Sequence, residues 1–273
     1  MADRRPNPRG AGKPPGGAIL DFAHPLALGL VAAFNFADGA GLQASESCGC
    51  PNATLGAGVT WSAFGNYTGL KQPITSAVTT APDTPAFNPP LLSAFVLVSF
   101  HSLNGTNNNH IFNRTAAVAG FRIYLNPNGP NMKAYVSDGA TSLTATTAPS
   151  TIKTFTLYHF GLTFDGKTLR GYLNGQANGT ASGTPALNLA ATNLAFMNLG
   201  SGPASTAAVD GWLHQALLYN RPLAADHVAL LAADPFGMFL PERQQGSVTG
   251  GLAASARPFS SYVPETRPPW PLL

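Results

Sequence analysis

Apolar and polar residues alternate along much of the chain, in short segments that turn-forming residues separate. Alternation with a period of two is typical of β-strands that bury one face. Leu92–His101 differs because it is apolar almost throughout, which predicts a central strand buried on both faces. Residues 29–36 predict a first strand, and residues 110–114 predict a strand that follows the polar segment after His101.

Two pairs of alternating segments predict β-hairpins. Phe121–Asn126 and Met132–Ser137 are joined by Pro-Asn-Gly-Pro-Asn, a sequence rich in turn formers. Phe155–Phe164 and Leu169–Leu173 are joined across an Asp-Gly pair, and an Asn-Gly pair then turns the chain again. The middle and the C-terminal third of the chain are therefore predicted to be built from antiparallel strands.

The segment between the prolines at positions 222 and 235 has a different pattern. It predicts one short helix, and we expect no other helix in the body. The partly apolar face of this helix consists of Leu223, Val228, Leu230 and Leu231. Residues 40–90 are rich in Gly, Thr and Pro and lack a clear period outside Val59–Phe64, so they fit either strands or a long irregular insertion.

Composition also favours a β-sandwich. Only 10% of the residues are charged, and the chain contains 29 Gly and 24 Pro. A polar but uncharged surface with many turn formers is typical of this class. At 273 residues the chain can bury one large core. We expect one domain over residues 18–240, between a basic Pro/Gly-rich arm at 1–17 and a Pro-rich tail at 241–273.

The formal net charge of +3 resides in the N-terminal arm, where Arg4, Arg5, Arg9 and Lys13 oppose Asp3. A basic arm fits an acidic protein surface or, less well, nucleic acid, and the other interpretation is a solvated end of the chain. We expect the three arginines to be inter-chain anchors. The start of the chain lacks the apolar segment of a signal peptide, and no segment reaches the roughly 18 apolar residues of a membrane span. We therefore expect no membrane association.

Residues 210–223 have the sequence DGWLHQALLYNRPL and lead into the predicted helix. It resembles the last strand of concanavalin A-like, laminin G-type jelly rolls, which typically reads G-x-[IL]-D-x-[VL]-x-[IVL]-Y-N-R-x-L-[ST]. His214 and Ala224 depart from this pattern, both at polar positions. The resemblance implies an all-β fold, a concanavalin A-like jelly-roll β-sandwich with one short C-terminal helix and extended arms at both ends. The matching positions are Gly211, Leu213, Leu217, Leu218, Tyr219, Asn220, Arg221 and Leu223.

Two shorter segments are similar to a narrower group, the laminin G-like proteins that tailed phages encode. Residues 24–31 (HPLALGLV) resemble the segment that enters the domain, and residues 234–241 (DPFGMFLP) resemble the segment that leaves it. This resemblance implies a virion structural protein that is made in the host cytoplasm. Such a capsid decoration or fibre-like subunit would contact the major capsid protein or neighbouring copies, and we expect a homo-oligomer.

No motif for catalysis is found in the sequence. Glycosidases that share this sandwich need paired carboxylates, which lie about 5 Å apart in retaining enzymes. The only glutamates are Glu46, Glu242 and Glu265, and no two acids lie two or four positions apart on a predicted strand. The histidines are scattered, and Cys48 and Cys50 are too few and too close for a zinc site, so we expect free thiols. We therefore expect no enzyme activity, no metal and no other cofactor.

The polar loop after the central strand is the best candidate for binding. Its side-chain amides suit sugar hydroxyls or, weakly, calcium, although the same asparagines fit a solvated hairpin loop. Residues 126–131 form a second candidate loop. The candidate glycan-binding rim consists of Asn104, Asn107, Asn108, Asn109 and His110.

The large aromatic residues fit either a core or an interface. Trp212 adjoins Leu213 in a predicted strand, so we expect it in the core. His159 and His214 also lie in predicted strands, and we expect them to be packed or hydrogen-bonded. Trp270 has little to pack on within its own Pro-rich segment, so it is a further candidate inter-chain anchor, because buried aromatic residues dominate interface energetics.

Two main functions remain. The first hypothesis is a non-enzymatic virion structural protein that binds neighbouring subunits through its arms. The alternative is a carbohydrate-binding, lectin-like module for attachment to surface glycans, and the fold alone does not decide between them. An extracellular adhesion domain is a third hypothesis, against which the missing signal segment counts, and an enzyme is the last.

Overall fold

The computed structural model describes residues 18–73, 77–103, 109–116, 119–126, 130–148, 152–187, 192–198 and 208–240. Within these ranges the chain forms a sandwich of two antiparallel sheets with one short helix, α1 (Ala225–Ala233), as predicted. Short 3-10 turns lie at Pro25–Ala27 and Pro85–Phe87. The strands are β1 Ile19–Leu20, β2 Leu30–Phe34, β3 Gln43–Ala44, β4 Ala53–Thr54, β5 Thr60–Phe64, β6 Tyr67–Gln72, β7 Thr79–Ala81, β8 Leu92–Phe100, β9 Asn109–Ala116, β10 Ala119–Asn126, β11 Asn131–Ser137, β12 Ser142–Thr146, β13 Leu157–Phe164, β14 Thr168–Leu173, β15 Gln176–Ser182, β16 Leu194–Phe196, β17 Gly211–Tyr219 and β18 Phe239–Leu240.

The two sheets have distinct orders of strands. We call the first the helix-side sheet; its order is β15-β14-β13-β8-β17-β6-β5, and β2 also pairs with β17. We call the second the meander sheet, because its order β12-β11-β10-β9-β16-β7-β4-β3 begins with four consecutive strands. The segment 40–90, which the sequence left open, contributes strands to both sheets.

The main core lies between the two sheets. All nine residues of β8 are buried, as predicted, because this strand has covered surfaces on both sides. Its alternate residues from Leu92 to Phe100 face the main core. Phe196 of β16 lies at the centre of an aromatic group with Phe34, Phe36 and Phe112, which joins the two sheets.

A second apolar cluster covers part of the outer face of the helix-side sheet. Phe95, Leu97 and Leu217 of the sheet pack there with Val228 and Leu231 of α1. Leu230, which the sequence placed on the apolar face of the helix, is instead 48% exposed. The reason is the 100° rotation per residue, which turns position 230 away from the stripe formed by positions 228 and 231.

The predicted hairpins are present with small changes at their ends. β10 pairs with β11, and β13 pairs with β14. The predicted strand from Phe155 begins only at Leu157, because Phe155 has φ 53° and so lies in the left-handed region, which an extended strand cannot include. The backbone N–H of Phe155 donates to the carbonyl oxygen of Phe100 at 2.8 Å, which holds the residue against the end of β8.

β1 and β18 form a separate two-stranded sheet. Ile19 lies opposite Leu240, and Leu20 lies opposite Phe239. The two ends of the described body are therefore held side by side. The predicted arm at 1–17 and tail at 241–273 lie outside the described residues.

Candidate functional site

The predicted asparagine rim lies partly outside the described residues. Asn104, Asn107 and Asn108 belong to that part. Asn109 and His110 lie in β9 and are only 2% and 5% exposed, and the Asn109 amide donates to the carbonyl oxygen of Ala208 at 2.8 Å. The two described members of the predicted rim are thus buried strand residues, and the glycan role of this loop stays a prediction.

The outer face of the meander sheet offers a different set of side chains. In the antiparallel register Arg122 of β10 lies opposite Tyr135 of β11, and Tyr135 lies opposite Thr144 of β12. Two positions further along the strands, Tyr124 lies opposite Lys133, which in turn lies opposite Thr146. These two rows form one surface, the cation–tyrosine face, which consists of Arg122, Tyr124, Lys133, Tyr135, Thr144 and Thr146.

The cations of this face lie over the aromatic rings. The guanidinium carbon of Arg122 is 4.9 Å from the centre of the Tyr135 ring, and Nζ of Lys133 is 6.0 Å from the centre of the Tyr124 ring. Arg122, Lys133 and Tyr135 are partly exposed, and both threonines are exposed. The rows therefore present two positive charges, ring surface and hydroxyl groups to solvent.

The face keeps its positive charge at neutral pH. The strands β9 to β12 contain no Asp or Glu. Burial raises the pKa of the Tyr124 hydroxyl, which stays protonated. The His110 ring stacks on Tyr124 at 5.5 Å, and burial followed by the Arg122 charge lowers the pKa of the imidazole to about 4, so it is neutral. Arg122 and Lys133 then provide the charge of this surface.

Sequence reasoning identified two of the three strands of this face, β10 and β11, but neither β12 nor the face itself. Arg122 and Lys133 stand in neighbouring strands of a hairpin that was predicted correctly, and their distance from the hairpin turn would have shown that they share a face. The sequence signal for this face was that each cation lies opposite a tyrosine when the two strands of the hairpin are aligned from its turn.

Trp212 is not a core residue. Its side chain is partly exposed on the outer face of the helix-side sheet, because Leu213 points into the core and neighbouring strand residues face opposite sides. His214 and His159 are buried in strands, as predicted, at 0% and 4% exposure. The remaining candidate anchors, Arg4, Arg5, Arg9 and Trp270, lie outside the described residues.

A cleft of about 280 Å³ lies between residues 18–22 and the segments 35–38 and 45–47, and Glu46 lines it. The Glu46 carboxylate accepts hydrogen bonds from three backbone N–H groups: that of Ala33 at 2.7 Å, that of Cys48 at 2.8 Å and that of Cys50 at 2.7 Å. The carboxylate holds the loop to the end of β2. These hydrogen bonds account for the position of Glu46 in the cleft and give the carboxylate a role in stability.

We expect Glu46→Ala to lower the free energy of unfolding by about 2 kcal/mol, because three part-buried N–H groups lose a charged acceptor. Glu46→Gln should lose less, because it keeps one oxygen acceptor. Urea unfolding of both variants at pH 7 measures the difference. Equal stability of the alanine variant and the parent would contradict this role.

The cysteines and histidines show no sign of a metal site. Cys48 and Cys50 are free thiols, and burial raises the pKa of each above its ordinary value, so both stay protonated. Among the described residues, no three His, Cys, Asp or Glu side chains are grouped so that they could hold a metal ion. No helix in the described part of the chain is long and apolar enough to cross a membrane.

Comparison with protein families identifies one match. A laminin G model, described as the concanavalin A-like lectin/glucanases superfamily, matches residues 53–229. Comparison with curated proteins gives no significant match.

Three solved structures illustrate the likeness in fold. Domain 4 of AbnA, an extracellular arabinanase from Geobacillus stearothermophilus solved with arabinotriose, has a TM-score of 0.58 and 19% identity, over 74% of this chain and 98% of that one. The binding domain of Paraclostridial Mosquitocidal Protein 1 has a TM-score of 0.62 and 15% identity, over 78% and 53%. Trypanosoma rangeli sialidase, solved with sialic acid, has a TM-score of 0.59 and 14% identity, over 77% and 34%. The chain thus spans about half of the second structure and about a third of the third.

Proposed function

Because the chain belongs to the concanavalin A-like lectin/glucanases superfamily, we propose that it is a carbohydrate-binding module whose cation–tyrosine face holds an acidic sugar. The observation on which this rests is the pairing of Arg122 with Tyr135 and of Lys133 with Tyr124, on strands that contain no acidic residue. A carboxylate-bearing glycan matches both the charge and the ring surface.

The two cations are placed to share one anion. Arg122 lies opposite Tyr135, and Lys133 is two residues from Tyr135 on the same strand, so the two cations are diagonal neighbours. Diagonal neighbours in a sheet lie about 7 Å apart, and long side chains span that distance. A carboxylate between them receives charge-assisted hydrogen bonds, and a guanidinium binds such a group through two parallel N–H donors.

The rest of the face suits the rest of a sugar. The ring of Tyr135 offers an apolar surface for the C–H groups of a pyranose, as aromatic side chains do in ligand sites. Thr144 and Thr146 follow in the same rows, and their hydroxyls both donate to and accept from sugar hydroxyls. The face is therefore complementary to an acidic pyranose in charge, shape and hydrogen bonding.

The structural neighbours support binding of sugars. One was solved with arabinotriose and another with sialic acid, which carries a carboxylate. Binding without hydrolysis is part of the proposal, because Glu46 is held by three backbone N–H groups and the face itself has no carboxylate. A role in a virion, with partners in a capsid, stays a prediction from the sequence.

The test is the binding of the full chain to 3′-sialyllactose, trigalacturonic acid and, as a neutral reference, lactose, by isothermal titration calorimetry. We expect at least one acidic sugar to bind at least tenfold more tightly than lactose, and its affinity to fall as salt rises. The double variant Arg122→Gln/Lys133→Gln should lose at least tenfold of that affinity, since it removes both charged donors.

Lys167→Gln is the matched control, because Lys167 is an exposed lysine in the β13–β14 turn of the other sheet. It removes one positive charge without touching the face and should bind as the parent does. The proposal fails if neither acidic sugar binds at millimolar concentration, or if the double variant binds as tightly as the parent.

A further inference from the structure

A second group of aromatic side chains lies on the outer face of the helix-side sheet, and we call it the Trp212 cluster. The centre of the Trp212 ring is 5.0 Å from the ring centre of Phe64, 6.0 Å from that of His101 and 6.4 Å from that of Phe155. These residues come from the end of β5, the end of β8, the segment before β13 and the start of β17. The outer faces of two packed sheets point in opposite directions, so this cluster and the cation–tyrosine face lie on opposite sides of the sandwich.

Hydrogen-bond donors and acceptors border the Trp212 cluster. Asp210 accepts from Nζ of Lys71 at 3.0 Å and bonds Nδ1 of His101 at 2.9 Å. Nζ of Lys71 also lies 4.0 Å from the centre of the Trp212 ring. Nδ1 of His101 faces the carboxylate, so in the neutral imidazole the proton lies on Nδ1 and Nε2 is an acceptor; the His101 side chain is 51% exposed.

Phe155 is the exposed member of the cluster. It is 58% exposed although it is a large apolar residue, and its φ of 53° is rare for a residue with a side chain. Its ring stands at 89° to the His101 ring, with the centres 5.4 Å apart. Backbone strain of this kind persists only where the surroundings impose it, and it is concentrated at functional sites. Here it keeps a phenyl ring in solvent beside the His101 imidazole and the Trp212 indole, which are themselves in contact with Asp210 and Lys71.

We infer that the Trp212 cluster is a second binding site, and that it takes a neutral pyranose ring. The exposed ring of Phe155 and the partly exposed side chain of Trp212 offer an apolar surface for the C–H face of such a sugar. Nε2 of His101 and the Asp210 carboxylate accept from its hydroxyls, and Lys71 donates to them. An acidic sugar is disfavoured because Asp210 would repel it, so the two faces take ligands of different charge. A module with a site on each side can bridge two glycan chains.

The test uses the indole N–H resonances of the tryptophans in the full chain, assigned by tryptophan-to-phenylalanine variants. Xylotriose, cellotriose and maltotriose, whose rings are pyranoses, are the neutral probes. We expect at least one of them to move the Trp212 resonance and leave that of Trp61 unchanged, because the Trp61 indole donates to the carbonyl oxygen of Gly41 at 2.8 Å, outside the cluster. The shift as a function of concentration gives the affinity.

Phe155→Asn removes the ring while keeping a residue that tolerates the left-handed region, and it should weaken binding at least tenfold. Phe22→Asn makes the same change at another exposed phenylalanine, 74% exposed, and should have no effect. Arg122→Gln/Lys133→Gln should leave the neutral probe bound, which separates this site from the acidic-sugar site. The inference is overturned if none of the probes moves the Trp212 resonance, if Phe155→Asn binds as the parent does, or if dilution alone moves the resonance, because a second copy of the chain would then cover the cluster.

Discussion

Lowering the pH from 7 to 5 should reduce the free energy of unfolding by about 4 kcal/mol, and two buried histidines are the reason. Burial lowers the pKa of the His159 imidazole to about 4, and burial together with the Arg122 charge does the same for His110. In the unfolded chain both titrate near 6.5. Between these values the unfolded state binds more protons, so stability falls as the pH falls from about 6.5 toward 4, by about 2 kcal/mol for each histidine at pH 5.

Urea unfolding at a series of pH values measures this dependence. His159 stacks on Phe95 at 5.4 Å, and neither ring nitrogen has a hydrogen-bond partner, so His159→Phe keeps the packing and removes the titration. That variant should lose about half of the decline and should be no less stable than the parent at pH 7. The pKa values of Asp165 and Asp210 are lowered, so these carboxylates contribute to acid unfolding only below about pH 4. A parent whose stability is the same at pH 5 and pH 7 would contradict the prediction.

Phe196→Ala should lower the free energy of unfolding by about 4 kcal/mol, the usual cost of removing a phenyl ring from a packed core. Phe196 is 0% exposed, and its ring lies 4.9 Å from Phe34, 5.5 Å from Phe36 and 5.3 Å from Phe112. Phe34 belongs to the helix-side sheet and Phe112 to the meander sheet, so the cavity would open at the junction of the two. The neighbours are held by their own strands and can only partly fill it.

Chemical denaturation at pH 7 measures this loss, and two further variants set its scale. Phe196→Leu keeps most of the side-chain volume, so its free energy of unfolding should fall much less than that of Phe196→Ala. Phe22→Ala removes an equally large ring that is 74% exposed, and it should change the stability by less than about 0.5 kcal/mol. A loss for Phe196→Ala as small as that for Phe22→Ala would show that the aromatic group does not join the sheets as described.

The fold was largely readable from the sequence because its signals are local. Period-two alternation and the Asp-Gly and Asn-Gly turns identified both hairpins, and the two prolines bracketed α1. Residues 40–90 were left open because β3, β4 and β7 have only two or three residues, too few for a period to appear, and because the buried positions of β6 do not alternate regularly. Phe155 was wrongly assigned to a strand. Its left-handed backbone accompanies a hydrogen bond to Phe100, 55 positions away in the sequence, and local sequence does not reveal such a contact.

The candidate sites were less readable because they depend on contacts between strands. Arg122 and Tyr135 look like ordinary residues of two alternating strands until the register places them opposite each other. Trp212 was assigned to the core because its neighbours are apolar, yet the pleat turns it to the other side of the sheet. His110 was expected at the rim of a binding loop. In the structure its ring stacks on Tyr124, so it lies beneath the cation–tyrosine face. Sequence patterns say which residues can share a face, and pairing decides which ones do.

The short sheet of β1 and β18 has a practical consequence. Ile19 and Leu240 are partners in an antiparallel pair, so the two points at which the chain enters and leaves the body are about 5 Å apart. A linker of a few glycines can therefore join them, and new ends opened at Gly166, in the exposed turn between β13 and β14, give a circular permutant with the same sandwich. The same proximity lets the body be inserted into a surface loop of another protein without forcing the two sides of that loop apart.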